Sequence, residues 1–388
     1  MRIAEIPSFF PPYGGLFCMD QAKALAALGH EVTVLAHVQQ GVTIHPMGWL
    51  LAGRGASRYV EDGVRVTRTD MRGLPRSPRL NMRRWVRGAC RLFDSYAAGG
   101  GLPDVIHAHC CKWAGYAASL LAGRYGVPYV VTEHLPSALL AEELGDPDPG
   151  AWQVGLLRRA YEGARRVIPV SEELVDDLAP YFGKGYRWTA ISNVIDTDFF
   201  RFRQRPETRG RAFRFCCLAD YVPRKGYDVL LRAFARSRAA RDGAELHIAG
   251  RYVSGRGCRR EVARLAGSAR VVSHGELDRE GVRRLLYGSD CLVLATRGEA
   301  QPLVLLEAMS TGIPVITTDR VPLSARSGQG CRVVPAEDAE ALASAMDGMA
   351  ERYPGASEAL SAAVRATCSP ESVGKRLEAV LLEAAASV

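Results

Sequence analysis

The sequence predicts an α/β fold built from two doubly wound parallel sheets. Short, continuously apolar runs alternate with helical patterns along the whole chain of 388 residues, as is typical of strands that helices cover on both faces. A polar, arginine-rich segment at 196–212 has neither period and separates two such series. We therefore expect Rossmann-like domains at 1–198 and 199–368, followed by a helix at 369–388 that packs back towards the first domain.

The first series of strand candidates consists of RIAEIPSFF, EVTVLAH, GVRVTRT, DVIHAHC, YVVTEH and RVIPVS. Helical spacing of apolar residues lies between them, as at 20–28, which stops before Gly29, and at 151–164. The second series consists of FRFCCLAD, ELHIAG, RVVSHGE, CLVLAT, PVITTD and CRVVP, with helices at 227–240 and 279–287. The last helix is expected to begin at Ser369 and Pro370, because serine is a favoured N-cap and proline suits the first helical position.

Composition narrows the class of protein. The hydrophobic content of 47% can fill two ordinary cores. No run of about 18 apolar residues is present, and the first residues lack a secretory cleavage pattern, so we expect a cytoplasmic protein. None of the ten cysteines has C-x-x-C spacing, and they are interpreted as small buried hydrophobic residues. The net charge of +8 suits an acidic partner, which charge alone does not identify.

Two carboxylates flank the start of one helix. Glu299 and Glu307 lie in GEAQPLVLLEAMSTGIPVITTD, where an apolar helical run ends at Gly312 before a strand. The first amides of a helix are unpaired and lie at the positive end of its dipole, so this place favours an anion such as a diphosphate. An ionised carboxylate only accepts hydrogen bonds and would suit sugar hydroxyls. The pair therefore indicates a nucleotide-sugar site, although ordinary surface acids at a helix start are the alternative.

The run around these acids resembles the E-x7-E segment of the family 4 glycosyltransferases, which are retaining, use nucleotide sugars and have the two-domain GT-B fold. Further similar segments follow in the expected order: Gly14 and Gly15 after the first strand, DVIHAH at 104–109, IPVSE at 168–172, ISNVIDTDFF at 191–200, and Lys225 with Gly226. The resemblance extends from the first strand to the last helix and is weakest between residues 39 and 101. It implies two domains that face each other across a cleft.

The resemblance also implies roles for charged residues of the second domain. Glu299 would hold hydroxyls of the transferred sugar, and Glu307 would hold those of the ribose. Lys225 would neutralise the donor diphosphate, with Arg224 beside it as a second cation. No covalent nucleophile is expected, because Glu299 would lie against the sugar's hydroxyls.

The remaining site candidates are backbone amides and one histidine. Amides at Gly15, Leu303 and Val304 are expected to bind donor phosphate. His134 ends the strand YVVTEH at the position where relatives place a histidine that contacts the reacting sugars, and a hydrogen-bonded core histidine is the alternative. The expected catalytic residues are thus Glu299, His134 and Lys225, and donor binding is expected at Gly15, Arg224, Lys225, Leu303, Val304 and Glu307.

Two residues depart from the family pattern. Asp220 stands where relatives have an arginine, and its charge would repel phosphate unless it turns outward or pairs with a neighbour. Pro302 follows the first glutamate where relatives have glycines and an aromatic residue, and proline has no N–H to offer. These changes keep a non-catalytic nucleotide-sugar binder open as an alternative.

His107 and His109 lie on one face of a predicted strand and could suggest a metal site. No third ligand lies nearby in the sequence, and family 4 needs no metal, so we expect buried, hydrogen-bonded histidines and no bound metal. The resemblance implies no cofactor. The donor substrate would be a nucleoside-diphosphate sugar, with UDP favoured over GDP.

Seven arginines are clustered in one segment: Arg72, Arg76, Arg79, Arg83, Arg84, Arg87 and Arg91. The later part predicts an amphipathic helix with Met82, Trp85, Val86, Ala89 and Phe93 on one side. Such a helix could simply cover the surface, or its arginines could contact an anionic membrane or a charged acceptor. No RNA- or DNA-binding module accompanies it, so we expect no nucleic acid partner.

The expected function is retaining, metal-independent transfer of a sugar to a saccharide, a glycolipid or another hydroxyl acceptor. Wording after the first strand, GLFCMDQAKALAALGHEVTVL, resembles a family 4 subgroup linked to cell-surface polysaccharide synthesis. The enzyme would then work in the cytoplasm, or peripherally at the inner face of the cell membrane. A nucleotide-sugar epimerase or a phosphorylase of the same fold remains an alternative. A dinucleotide oxidoreductase ranks low because G-x-G-x-x-G is absent after the first strand.

Overall fold

A computed structural model describes residues 1–11, 13–148, 150–204, 211–326, 328 and 330–386. The chain divides into two compact units, one formed by Met1–Val194 with Pro370–Val388 and the other by Ile195–Ser369. The sequence had placed this boundary at 198/199. Among the described residues, no helix combines the length and apolar character that crossing a bilayer requires.

The sheet of the first unit has the order β3-β4-β2-β1-β5-β6-β7 in its described part. Its strands are β1 (Arg2–Pro7), β2 (Glu31–Gln40), β3 (Ala56–Glu61), β4 (Val64–Arg72), β5 (Val105–His109), β6 (Tyr129–Glu133) and β7 (Arg166–Pro169). All neighbours are parallel except β3, which pairs antiparallel with β4 at the edge. Sequence periodicity did not predict β3, whose residues are all exposed.

Helices cover this sheet and connect its strands. They are α1 (Leu16–Ala27), α2 (Pro46–Leu51), α3 (Pro78–Gly100), α4 (Tyr116–Tyr125), α5 (Ser137–Leu144), α6 (Trp152–Glu162) and α7 (Glu173–Phe182). The amphipathic prediction for α3 is confirmed: Met82, Trp85, Val86, Ala89 and Phe93 are buried, while Arg83, Arg87 and Arg91 are exposed.

The sheet of the second unit has the order β10-β9-β8-β11-β12-β13 in its described part, and every pair of neighbours is parallel. Its strands are β8 (Arg214–Leu218), β9 (Glu245–Ala249), β10 (Arg270–Gly275), β11 (Cys291–Leu294), β12 (Val315–Thr318) and β13 (Cys331–Val334). This is the doubly wound order 3-2-1-4-5-6.

The helices of the second unit are α8 (Tyr227–Arg236), α9 (Arg238–Arg241), α10 (Arg256–Leu265), α11 (Arg279–Gly288), α12 (Leu303–Ser310), α13 (Ala339–Glu351) and α14 (Glu358–Cys368). The single helix predicted at 227–240 is wrong, because Ser237 adopts an extended conformation between α8 and α9 and its side chain caps α9. Nine of the ten cysteines are buried, as expected, and Cys331 is half-buried.

The predicted linker at 196–212 is corrected at its start. Ile195 and Phe200 are buried in the core of the second unit, so the chain enters that core directly after the boundary. Ser310 donates a hydrogen bond to the Phe200 carbonyl, which fixes this entry. Residues 205–210 of the predicted linker lie outside the described residues.

The last helix, α15 (Pro370–Ala386), belongs to the first unit and packs against α1. Val373, Leu377 and Leu381 are completely buried there, and Gly374 lies against the Ala24 carbonyl of α1. The spacing of these residues places them on one face of the helix. The C-terminal segment is therefore a structural part of the N-terminal unit.

Candidate active site

The strand order of the second unit places a switch point between β8 and β11. From β8 the chain winds outward in one direction through β9 and β10, and from β11 in the other direction. In such sheets ligands bind at the carboxyl ends of the strands on either side of this point. The residues that follow these two strands are Pro223–Lys225, in a 3-10 turn, and 296–299.

The switch point brings three of the sequence-predicted residues together. Lys225 Nζ lies 2.5 Å from Glu299 Oε1, and Arg224 Nη1 lies 3.0 Å from Oε2. The Thr296 hydroxyl donates a 2.9 Å hydrogen bond to Oε1. The side chains of Glu299, Lys225 and Arg224 are only 8%, 16% and 19% exposed. Solvent therefore screens these charges weakly, and two cations are held by one acid at the place where a ligand is expected.

Backbone contacts hold the two loops in register. The Arg297 amide donates to the Arg224 carbonyl at 2.8 Å, and the Arg224 guanidinium donates to the Gly298 carbonyl at 2.7 Å. Gly226 has φ of +64°, and a Cβ there would come within 1.9 Å of the Ala295 carbonyl oxygen. Only glycine permits this approach of the β8 loop to the end of β11. The cations are thus positioned before any ligand arrives.

Helix α12 begins at Leu303, where the sequence predicts the start of an anion-binding helix. Pro302 precedes it and has no hydroxyl or carboxamide to cap the helix. Leu303 and Val304 therefore present first-turn amides without an intrahelical acceptor. Glu307 lies one turn further along and is half-buried. Binding of phosphate by the two amides and of ribose by Glu307 stays a prediction.

Asp220 is neutralised by a partner that the sequence did not identify. Its carboxylate accepts hydrogen bonds from the Arg251 backbone amide and Nε, both at 3.0 Å, and from Nη2 at 2.5 Å. Arg251 follows β9, the neighbour of β8, so two adjacent strand ends supply the pair. The acid that would repel a diphosphate is therefore compensated within the second unit.

In the first unit, the glycine loop after β1 follows the backbone closely. Gly15 has φ of +80°, and a Cβ there would lie 2.0 Å from the Phe9 carbonyl oxygen. Helix α1 begins directly after it, so the N-terminal amides of the helix face an open, side-chain-free turn. Phe17, two residues further on, stacks on His134 with ring centroids 3.7 Å apart.

His134 ends a chain of hydrogen bonds that starts at Glu5 on β1. Glu5 accepts from His109 Nε2 at 2.6 Å and from His107 Nδ1 at 3.1 Å, and His109 Nδ1 lies 3.3 Å from His134 Nε2. Because a carboxylate only accepts, His109 carries its proton on Nε2 and receives the proton of His134 Nε2 on its other nitrogen. His134 Nδ1 is then an acceptor, and it is buried without a hydrogen-bond partner among the described residues.

The protonation of these groups follows from their burial. Burial alone would raise the pKa of Glu5, but the adjacent His107 and His109 outweigh it and lower the pKa to about 2. Burial, reinforced by His107, lowers the pKa of His109. Burial, then His109 and His107, holds the pKa of His134 well below its ordinary value, and Asn193 offsets this in part. Glu5 is thus ionised and both histidines are neutral at physiological pH.

The expectation that the two strand histidines are buried and hydrogen-bonded is confirmed, since both are fully buried. The expectation that they lack a third potential ligand nearby is wrong. Glu5, His107 and His109 offer ligand atoms within 4.8 Å of one another, because Glu5 is the direct register partner of His107 on the adjacent strand. Their atoms already bond to each other and to Thr132, which donates to His107 Nε2 at 2.6 Å.

A pocket of about 590 Å³ lies at the carboxyl ends of the first unit's strands. Aromatic side chains dominate its wall: Phe10, Tyr13, Trp85, Trp113 and Trp152. Trp113 and Trp152 lie parallel with centroids 6.2 Å apart, and the Arg79 guanidinium lies 5.1 Å over Trp152. Flat apolar rings of this kind suit the faces of sugar rings or an isoprenoid-like chain.

Lys112 lines the same pocket and is its most perturbed basic group. Burial lowers the pKa of Lys112 to about 8. An anionic group bound beside it would favour the charged form of the amine. The sequence did not single out this pocket, because its residues come from six separate connections and no motif links them.

The predicted site residues are thus divided between the units. Gly15 and His134 lie in the first, while Arg224, Lys225, Glu299, Leu303, Val304 and Glu307 lie in the second. The structure adds Thr296, which orients Glu299, and Arg251, which compensates Asp220. Phe17 and Glu5 are added around His134. Register between the predicted strands is the only sequence signal that could have found Glu5.

Two protein-family models match this chain. Residues 15–194 match the glycosyl transferase 4-like domain, and residues 212–352 match the glycosyl transferases group 1 domain. The two matches correspond to the two parallel-sheet units and together cover most of the chain. The chain belongs to the glycosyltransferases that carry this pair of domains, as the sequence predicted, and it has their GT-B type of fold.

Individual proteins agree with this assignment. Glycogen synthase of Mycobacterium tuberculosis is 29% identical over 349 residues, which cover 82% of this chain and 78% of the relative. Sucrose-phosphate synthase from Thermosynechococcus elongatus has a similar structure, with a TM-score of 0.80 at 18% identity over all of both chains. Anabaena Alr3699/HepE in complex with UDP and glucose has a TM-score of 0.70 at 17% identity, covering 99% of this chain and 100% of its own.

Proposed function

We propose that this glycosyltransferase moves a sugar from a nucleoside-diphosphate sugar to a hydroxyl of a saccharide or glycolipid acceptor, with retention of configuration and without a bound metal. The observation that carries the proposal is the cluster of Arg224 and Lys225 around Glu299 at the switch point of the second sheet. The complex of HepE with UDP and glucose supports UDP as the favoured nucleotide. The pocket of the first unit would hold the acceptor.

Negative charge develops on the diphosphate as it leaves the sugar. Lys225 and Arg224 would stabilise this charge, together with the first-turn amides of Leu303 and Val304. Two cations fixed by loop hydrogen bonds do for the phosphates what a metal ion would otherwise do. A leaving phosphate oxygen would take the proton of the acceptor hydroxyl, so no external base is needed.

Retention without a covalent intermediate is supported by how Glu299 is bound. Both carboxylate oxygens already accept hydrogen bonds, from Lys225 and Thr296 on one side and from Arg224 on the other. A carboxylate stabilised in this way is a poor nucleophile. Its remaining lone pairs can accept the hydroxyls of the transferred sugar, which is the role proposed for Glu299.

His134 would contact a reacting sugar through Nδ1. The chain from Glu5 through His109 fixes the tautomer, so that this atom offers a lone pair to a sugar hydroxyl. The unpaired acceptor is costly in a buried site unless a ligand uses it. Phe17 lies over the ring and would have to move or share the contact.

A place in cell-surface polymer or glycolipid assembly, in the cytoplasm at the inner face of the membrane, is proposed as the setting. It is supported by the subgroup resemblance after the first strand and by the exposed arginines of α3. The segment from Arg72 to Arg91 would then contact an anionic membrane surface. Arg83, Arg87 and Arg91 are the residues best exposed for this contact.

The direct test is a panel of UDP, GDP, ADP and their sugars in thermal shift, followed by transfer assays with the stabilising donor. Lys225→Ala and Glu299→Ala should abolish transfer while folding persists, and Lys375→Ala, at an exposed lysine paired with Glu371, should leave transfer unchanged. Wild-type turnover in either site variant would refute the assignment. A new nucleotide sugar formed from donor alone would indicate an epimerase, and a requirement for phosphate would indicate a phosphorylase.

A further inference from the structure

The segment that follows β2 exposes an unusual amount of apolar surface. Val42, Ile44, Met47, Leu50 and Leu51 are 36%, 73%, 63%, 50% and 44% exposed. Three of them belong to α2, whose six residues include none that is buried. We call these five residues the apolar patch. Such a contiguous set is unusual on a protein surface and marks a place of contact.

The patch is bordered by positive charge without compensating acids. No aspartate or glutamate occurs between residues 32 and 60 or between 71 and 93. Arg72 joins the two segments: its guanidinium donates to the carbonyls of Trp49 and Leu50 and lies 5.3 Å over the Trp49 ring. Arg84 of α3 donates in turn to the Arg72 carbonyl at 2.8 Å. The patch and the basic helix are therefore one continuous surface.

This surface meets the mouth of the aromatic pocket. Ile44 of the patch and Arg76 of the arginine segment both line the pocket of about 590 Å³, together with Trp85 from the buried face of α3. A molecule that enters the pocket past Ile44 must pass the apolar patch. The pocket's aromatic wall and Lys112 match an amphipathic ligand with an anionic group.

We propose that the apolar patch inserts into the headgroup region of an anionic bilayer and that the acceptor held in the neighbouring pocket is linked to a lipid of that bilayer. The inference rests on the proposed function, since it names the class of acceptor for the same enzyme. Apolar side chains enter the interface, arginines contact lipid phosphates, and the acceptor's head reaches the pocket without leaving the membrane.

Charge distinguishes a bilayer from a second copy of this chain. Two copies docked through the patch would bring two arginine-rich rims together with no acids in either segment, which is unfavourable. A free saccharide acceptor would gain nothing from exposed Met47 and Leu50, which do not line the pocket. An anionic lipid surface satisfies both the apolar and the basic parts.

The test is sedimentation of the full chain with vesicles of phosphatidylcholine alone or with one-third phosphatidylglycerol. The wild type should bind the anionic vesicles, and Met47→Ser/Leu50→Ser/Leu51→Ser should reduce the partition coefficient at least about tenfold. Arg83→Gln/Arg87→Gln/Arg91→Gln should reduce it by about a hundredfold at low salt. The matched control is Leu382→Ser, at a leucine of α15 that is 50% exposed.

Each outcome decides between the surface and its alternatives. Equal binding to neutral vesicles, no binding to either, or triple-serine and control variants that behave alike would overturn the proposal. A dimer of the wild type that the triple-serine variant loses would assign the patch to self-association instead. All variants should keep the thermal shift with UDP; if the wild type shows no such shift while vesicle binding persists, the proposed function fails and the surface stands.

Discussion

Replacing Glu299 by glutamine removes one negative charge from a site in which it holds two cations. In the free protein Lys225 and Arg224 are engaged by Glu299 at 2.5 and 3.0 Å, and all three side chains are largely buried. A diphosphate must therefore draw these cations away from an acid that already binds them. Glutamine keeps the shape of the side chain but competes much less for the cations.

The variant should bind nucleotide more tightly while it transfers sugar more slowly. A hydrogen bond to a charged group contributes about 1.5–3 kcal/mol. If ~1.4 kcal/mol of this is released to the ligand, the Kd of UDP falls about tenfold. The loss of an acceptor for the sugar's hydroxyls should reduce kcat at least about a hundredfold. Affinity and catalysis are thus expected to move in opposite directions.

Isothermal titration of UDP at two salt concentrations measures the first effect, and single-turnover transfer measures the second. Lys225→Met should weaken UDP binding, which fixes the sign of the cation's contribution. Glu337→Gln is the matched control, because Glu337 pairs with Arg297 in the same unit and is exposed. If Glu299→Gln weakened UDP binding or left it unchanged, the competition deduced from the cluster would be refuted.

Three further changes probe other parts of the molecule. Gly226→Ala should destabilise the second unit by more than about 3 kcal/mol, since the new Cβ would lie 1.9 Å from the Ala295 oxygen; chemical denaturation measures it. Glu307→Ala should mainly raise the donor KM, because ribose contacts are similar in ground and transition states. Glu5→Gln should lower stability at neutral pH, and the advantage of the wild type should shrink as pH falls from about 4.5 towards 2, because the pKa of Glu5 is lowered to about 2 in the folded protein.

Each of these predictions has its own control. Gly123→Ala, at a glycine of α4 with open space around it, should be tolerated. A fall in kcat alone for Glu307→Ala would show that the ribose role is wrong. For Glu5 the sign follows from linkage: a depressed carboxyl pKa adds stability above the unfolded value and loses it on acidification. A wild-type advantage that grows at low pH would contradict the buried carboxylate network.

Local patterns in the sequence predicted the sheets well because parallel strands buried on both faces are continuously apolar, as in CLVL of β11. The same logic failed at β3, an exposed edge strand, and at Phe200, which lies in a polar segment yet is buried. Lys225 and Glu299 could be predicted because each follows a recognisable strand. The partner of Asp220 could not, because Arg251 is placed beside it only by the pairing of β8 with β9.

The packing of α15 on α1 affects the order in which the chain can fold during synthesis. Val373, Leu377 and Leu381 fill the core of a unit whose other residues end at Val194. A ribosome must make the whole of the second unit before it releases the helix that closes the first. The nascent chain therefore exposes the apolar side of α1 throughout that interval, which is when a chaperone would bind it. The contiguous second unit can reach its final form earlier than the unit that precedes it.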